Sequence, residues 1–234
     1  MVVSYTFSEV LAMRTMCWIL SVCMLLNCVA CSRTASVSVA EGIVLIDPGH
    51  GGFDGGAVAT DGTTEKHLNL AISLCLRDLM CVCGIPVRMT RQTDVGLEEN
   101  ASVAIREKKV SDMHKRLSMY DEVSLVISIH QNHFTIPKYS GTQVFYSPNH
   151  SKSVALAQTV RDAVVGWIQP QNTRELKKAT DGIFLLYHTT TPAILVECGF
   201  LSNPDERELL KNPAYQQQMA FAVLAGYWNY KASE

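Results

Sequence analysis

The sequence lacks a dominant charge of either sign: 20 Lys and Arg against 22 Asp and Glu leave a formal net charge of −2. No basic field surrounds such a chain, so nucleic acid is excluded as the expected partner, and an anionic glycan must be met by local positive groups. Beyond the N-terminal region a zinc knuckle and a CxxC pair are lacking too. Beyond the N-terminal region stand only Cys75, Cys81, Cys83 and Cys198. Cys81 and Cys83 lie two apart on an expected helix and point to different faces, and both read as small core residues. Cys198 adjoins Glu197 on an expected strand, where neighbouring side chains point apart, so thiol chemistry is not expected there. No binding repeats are visible, which leaves targeting to the cleft, the N-terminal segment or a partner.

A membrane-length apolar run is also lacking. Residues 16–30 are mostly apolar and follow Arg14, but about 20 residues are needed to span a bilayer, whereas this length suits a signal-peptide core. Export is the expected consequence. Residues 1–12 add Glu9 and no positive charge, so Met13 is a candidate start. Cleavage is expected after Ala30 or Ala40. Cys28-Val-Ala-Cys31 resembles a lipobox, with Cys28 in the place of the usual aliphatic residue, making Cys31 a candidate lipidation site. Residues 1–40 thus read as a leader with a short linker, and residues 41–234 as one folded domain, large enough for a full core without disulfides or repeats.

Within that domain, three of four metal-compatible side chains sit where an apolar run stops. Residues 43–47 lead through Pro48-Gly49 to His50, residues 125–129 end on His130, and residues 193–196 end on Glu197; the fourth candidate is Glu65. In an open α/β sheet the carboxyl ends of parallel strands converge on one crevice. Two imidazoles and a carboxylate are a recurring ligand set for catalytic zinc, and a further glutamate nearby can take a proton from water. A carboxylate placed after a run as apolar as 193–196 is partly desolvated and calls for a cation or a proton. Five glycines surround His50 in Asp47-Pro-Gly-His-Gly-Gly-Phe-Asp-Gly-Gly56, as a tightly turning loop requires.

These words, in order with Glu65-Lys-His-Leu-Asn-Leu70, Ser128-Ile-His-Gln-Asn132 and Val196-Glu-Cys-Gly-Phe-Leu-Ser-Asn203, resemble the zinc-dependent N-acetylmuramoyl-L-alanine amidases of the amidase-3 family. The resemblance covers roughly residues 43–230. Within the family the chain looks most like the germination-specific, CwlD-like sporulation branch, through Met89-Thr-Arg91 and the basic stretches at 106–109 and 115–116. It implies one Zn2+ per chain held by His50, Glu65 and His130, with Glu197 as the catalytic glutamate. The implied reaction is hydrolysis of the amide joining the lactyl group of N-acetylmuramic acid to L-alanine in peptidoglycan, in spore cortex maturation. Asp54 and Asn132 are candidates for orienting the ligands or touching substrate. His133 departs from the small residue usual after Asn132; substrate contact, a metal position and solvent exposure are all open to it, the last favoured. His67 and His188 are not preferred as ligands, and Arg91, Arg116 and Arg174 are expected to be solvated, with peptide carboxylates as the other reading. Two other readings are a zinc deacetylase or peptidase acting on cell wall and a silent or partner-activated peptidoglycan-binding protein; an activating or anchoring protein partner is compatible with all three.

Periodicity predicts alternating strands and helices. A helix over 65–83 is capped by Thr63 or Thr64, carries Leu68, Ile72, Leu76 and Leu79 on one face, and stops at Gly84. Strands are expected at 86–90, 124–130 and 142–146, and helices at 111–121 and 154–168. Residues 94–109 read as a polar surface excursion edging the substrate groove. Asn203-Pro-Asp-Glu206 and Asn212-Pro213 each start a helix, the last one supplying Met219, Ala222, Val223 and Trp228 as apolar surface. The expected fold is α/β with three layers: a largely parallel twisted sheet with helices on both faces.

Overall fold

The computed structural model describes residues 42–234; the expectations for the leader, its cleavage and Cys31 lie outside the described residues. Six strands form one sheet in the order β2-β1-β3-β6-β4-β5. They are β1 (Val44–Pro48), β2 (Val87–Met89), β3 (Leu125–Asn132), β4 (Gln143–Tyr146), β5 (Lys177–Lys178) and β6 (Ala193–Phe200). β2, β1, β3 and β6 run parallel, while β4 pairs antiparallel with β6 and carries β5 at the edge. The sheet is therefore largely parallel, as expected.

Alternation along the buried strands divides the core in two. Val44, Ile46, Ile127, Ile129, Ile194 and Val196 face a thick layer of three helices, α1 (Glu65–Val82), α3 (Ser151–Trp167) and α6 (Pro213–Ser233). Leu45, Val126, Ala193 and Leu195 face a thinner layer, where α2 (Ile105–Tyr120) brings Tyr120 and the short α4 (Phe184–His188) brings Leu186. Asp47, Ser128, His130 and Glu197 continue that second alternation toward the strand ends. The thin layer leaves room for a cleft.

Helix starts follow their capping chemistry. Asn203 accepts from the Asp205 and Glu206 amides at 3.0 and 3.1 Å, opening α5 (Pro204–Lys211), and Asn212 accepts from the Ala214 amide at 2.9 Å to open α6. Thr64 stands at the N-cap of α1 but spends its hydroxyl on His67 Nδ1, 2.8 Å away.

Three expectations need correction, and two short elements are missed. α2 begins at Ile105, so the tail of the supposed excursion is helical; Ala104 at its N-cap offers no side-chain cap for a sequence reading to find. Cys81 and Cys83 are exposed, Cys81 in the last turn of α1 beyond its last buried residue, Met80, and Cys83 at its C-cap. Trp228 faces solvent from α6 instead of joining the core. The short β5 and α4 pass unnoticed in the sequence because neither is long enough to show a period. No helix among the described residues is long and apolar enough to cross a membrane.

Candidate functional site

The parallel register aligns the candidates. His130 on β3 lies directly beside Glu197 on β6, and β1 delivers the chain to His50 just beyond Pro48, which pairs with Ile129. Glu65 enters from the first turn of α1. His50, Glu65 and His130 each offer a ligand atom, and these atoms lie within 4.8 Å of one another. No second such cluster appears among the described residues.

Glycine makes the approach possible: a Cβ on Gly49 would stand 2.1 Å from the His130 ring, and one on Gly56 2.5 Å from Glu65 Oε2. The carboxylate of Glu65 is held from several sides. Its Oε1 accepts from the Gln131 amide at 3.1 Å and from Asn69 Nδ2 at 3.2 Å, and its Oε2 accepts from the Ala57 amide at 2.9 Å. His130 Nδ1 lies 2.9 Å from Oε1, and His50 Nε2 lies 3.2 Å from Oε2. Two ligands bonded at zinc distances in a tetrahedral shell stand about 3.3 Å apart, so this donor set fits zinc in type and in spacing. Asp54 accepts from His50 Nδ1 at 2.9 Å and leaves Nε2 facing the cluster, as carboxylates behind metal-binding histidines do. Lys109 pairs with the other Asp54 oxygen at 3.0 Å.

The electrostatics are those of a site built for positive charge. Burial opposes ionisation of Glu65, but the two histidines beside it hold its carboxyl far below the usual range. Burial likewise opposes charge on His50, yet hydrogen bonds and attraction from Asp54 and Glu65 carry its pKa up to about 9. Glu197 is shifted the other way. Burial and the negative charge of Glu65 push its pKa up to about 8, with His50 opposing, and its Oε2 is buried without a hydrogen-bond partner. A buried carboxylate oxygen with no donor is a position waiting for a proton, a water or a cation.

A cleft of about 370 Å³ opens over these groups, walled by Lys109, Met113, Phe184 and Leu185. Residues 94–109 contribute only Lys109 to it. Asn132 ends β3, where its carbonyl accepts from the Leu201 amide at 2.8 Å, and His133 beyond it is exposed. His67 turns to Asp94, 3.3 Å away, and His188 stacks on Phe184 with ring centroids 4.4 Å apart. Cys198 is buried beneath the strand, its thiol raised well above the ordinary range by burial and by Glu197.

The arginines break with the expectation of solvation. Arg91 and Arg116 are buried under the His50 loop, and Arg174 lies 4.4 Å above the Phe200 ring while donating to the Ser140 carbonyl. Composition-based odds fail here because many of the partners are backbone carbonyls, which carry no sequence signature, with the Asp47 and Asp112 carboxylates added behind Arg116. Asn69 and Gln131 also escaped the sequence reading. They form a buried amide pair at 3.2 Å behind Glu65, and only the occurrence of both inside the quoted motifs marked them out.

The family model described as N-acetylmuramoyl-L-alanine amidase matches residues 44–227. A germination-specific N-acetylmuramoyl-L-alanine amidase of Bacillus subtilis is 34% identical over 197 residues, covering 83% of this chain and 82% of that protein. The amidase AmiA of Escherichia coli is 27% identical over 238 residues, covering 84% and 78% respectively. Among solved structures, the CwlD amidase from Clostridioides difficile, in complex with the GerS lipoprotein, superposes with a TM-score of 0.79 at 35% identity, covering 82% of this chain and 99% of that one.

Proposed function

Because this chain belongs to the amidase-3 family of N-acetylmuramoyl-L-alanine amidases, we propose that it hydrolyses the amide between the lactyl group of N-acetylmuramic acid and L-alanine in peptidoglycan, with zinc as cofactor. The observation that carries this reading is the unpartnered, buried Glu197 Oε2 beside the His50, Glu65 and His130 cluster. A purely structural carboxylate in that place leaves a desolvation cost with nothing to offset it.

His50, Glu65 and His130 are assigned to hold the metal. When bound, zinc supplies Lewis acidity at the amide carbonyl and acidifies the attacking water. Glu197 accepts the proton released by that water and passes it to the departing alanine nitrogen. Its raised pKa in the metal-free protein suits it to hold the proton between those two events, and handing that proton to the nitrogen returns it to the carboxylate form for the next turnover. No covalent intermediate is required, and the buried, high-pKa thiol of Cys198 offers no nucleophile. Asp54 orients the His50 ring. Asn132, the last residue of β3, and the exposed His133 after it lie outside the lining of the cleft and stay candidates for substrate contact only beyond its rim.

The similarity to a germination-specific relative supports a role in spore cortex maturation, on exported or membrane-associated protein. The relative solved with a lipoprotein supports an activating or anchoring protein partner for this chain as well. Mass spectrometry of purified peptidoglycan digested with and without zinc tests the reaction. Stem peptides beginning with L-alanine, together with free muramic lactyl carboxylate and only when zinc is present, are the expected products. Released acetate, with the amide intact, would instead identify a deacetylase.

A further inference from the structure

His50 is the only non-glycine residue with a positive φ, 60°, among the described residues. The left-handed region disfavours a side chain, and a residue persists there only when its surroundings over-determine it. The Cα–Cβ direction of His50, and so the place of its ring, depends on that backbone geometry.

What over-determines it is a pair of buried guanidinium groups, Arg91 and Arg116, 3% and 2% exposed. Arg116 donates through Nη2 to the His50 carbonyl at 2.7 Å and through Nη1 to the Pro48 carbonyl at 3.0 Å. Arg91 donates through Nε to the same Pro48 carbonyl at 3.0 Å and through Nη2 to the Gly49 carbonyl at 2.9 Å. Three successive carbonyls therefore find their donors in two side chains. The guanidinium of Arg116 is itself anchored by Asp112, 2.6 Å from Nε, and by the buried Asp47. Asp47 is fixed in turn by the Tyr120 and Thr90 hydroxyls at 2.6 and 2.7 Å.

We propose that Arg116 is a positioning residue for metal binding, holding His50 in its left-handed conformation through its carbonyl, with Arg91 securing the two residues before it. The inference rests on the metal-hydrolase reading in taking His50 as a ligand. A lysine at 116 keeps the charge opposite Asp47 but cannot reproduce the planar fork that reaches His50 and Pro48 together. Without that bond the loop relaxes toward negative φ and carries the imidazole away from Glu65.

Arg116→Lys is compared with Tyr120→Phe, which also weakens the Asp47 network yet leaves the His50 carbonyl bond in place. Zinc affinity is measured by competition with a chromophoric chelator. In the metal-free protein, amide exchange is followed at Gly51, whose N–H bonds the Asp54 carbonyl at 2.9 Å. Arg116→Lys is expected to weaken zinc binding about 10–100-fold, to speed Gly51 exchange, and to recover kcat at saturating zinc. Tyr120→Phe is expected to lower the melting temperature without either effect. Unchanged affinity in Arg116→Lys, or an equal loss in Tyr120→Phe, overturns the proposal while leaving the metal reading intact. A wild-type protein that takes up no zinc sinks both. If Arg116→Lys does not fold, Asp112→Asn, which loosens the anchor of the Arg116 fork while leaving the Arg116–Asp47 pair whole, decides by the same two measurements.

Discussion

Replacing Glu197 with glutamine separates its electrostatic role from its shape. In the metal-free protein the folded chain keeps the Glu197 proton up to a pKa of about 8, against an ordinary value of 4.5. The unfolded chain releases that proton first, so between these values the folded state binds more protons and stability falls as pH rises. Carried to pH 7, the difference costs the wild type about 3 kcal/mol as a ceiling, at 1.36 kcal/mol per pH unit. Glu197→Gln is nearly isosteric and does not ionise, so it escapes this loss and also relieves the repulsion with Glu65. For a domain of this size that corresponds to a melting temperature up to about 6–12 °C above wild type at pH 7, shrinking toward zero near pH 4.5. Thermal unfolding in chelator from pH 4.5 to 8 reads the difference, and titrations common to both chains cancel. The same variant should retain one zinc per chain and lose about 10²–10⁴-fold in turnover, while His130→Ala or Glu65→Ala should lose the metal itself. Wild-type and variant melting curves that stay parallel across this range would refute the placement of Glu197 as a buried, unpartnered acid. A Glu197→Gln protein that loses zinc as fully as His130→Ala would refute its assignment to proton transfer.

Chelation should abolish activity and leave near-UV circular dichroism largely unchanged, because the two-sided core holds the domain without the metal; collapse of that spectrum would mark the metal as structural. Gly49→Ala places a methyl 2.1 Å from the His130 ring, so the ring must move, and both zinc affinity and stability should fall, the latter by about 1–3 kcal/mol in denaturant titrations. A chain comprising residues 41–234 should be soluble and take up zinc. If it does so but cleaves muropeptides only after a second protein is added, a partner-activated enzyme replaces the self-sufficient one.

The parts of the fold legible in the sequence are those where burial writes a period. Residues 43–47, 124–130 and 193–196 are apolar enough to declare themselves as central strands, though β3 and β6 run on to Asn132 and Phe200, and Leu68, Ile72 and Leu76 mark the buried face of α1. Capping chemistry located α5 and α6 because Asn and Pro act within a few residues of their own position. α2 was legible only in its second half: its first turns are polar and its N-cap is an alanine, so nothing local announces the start. The antiparallel direction of β4 was not legible at all, since a four-residue strand has the same alternation whichever way it runs.

The candidate site divides along the same line. His50, His130 and Glu197 stood out because metal chemistry restricts which side chains will serve and strand ends converge, whereas Glu65, on a helix, and the roles of all four came from the motifs shared with the amidase-3 family. Their supports follow a different logic. Arg91 and Arg116 look like ordinary surface cations in the sequence, yet a guanidinium is the one side chain with enough donors to satisfy several inward-facing carbonyls at once. The tight turn that lifts His50 off the end of β1 creates that demand by turning the carbonyls of Pro48, Gly49 and His50 away from water and away from any strand partner. Positive φ at His50 and burial of the two arginines are therefore a single structural fact. A chain that places a side chain of this size in the left-handed region, beside a cluster already rich in negative charge, needs cations underneath it even before a metal arrives above.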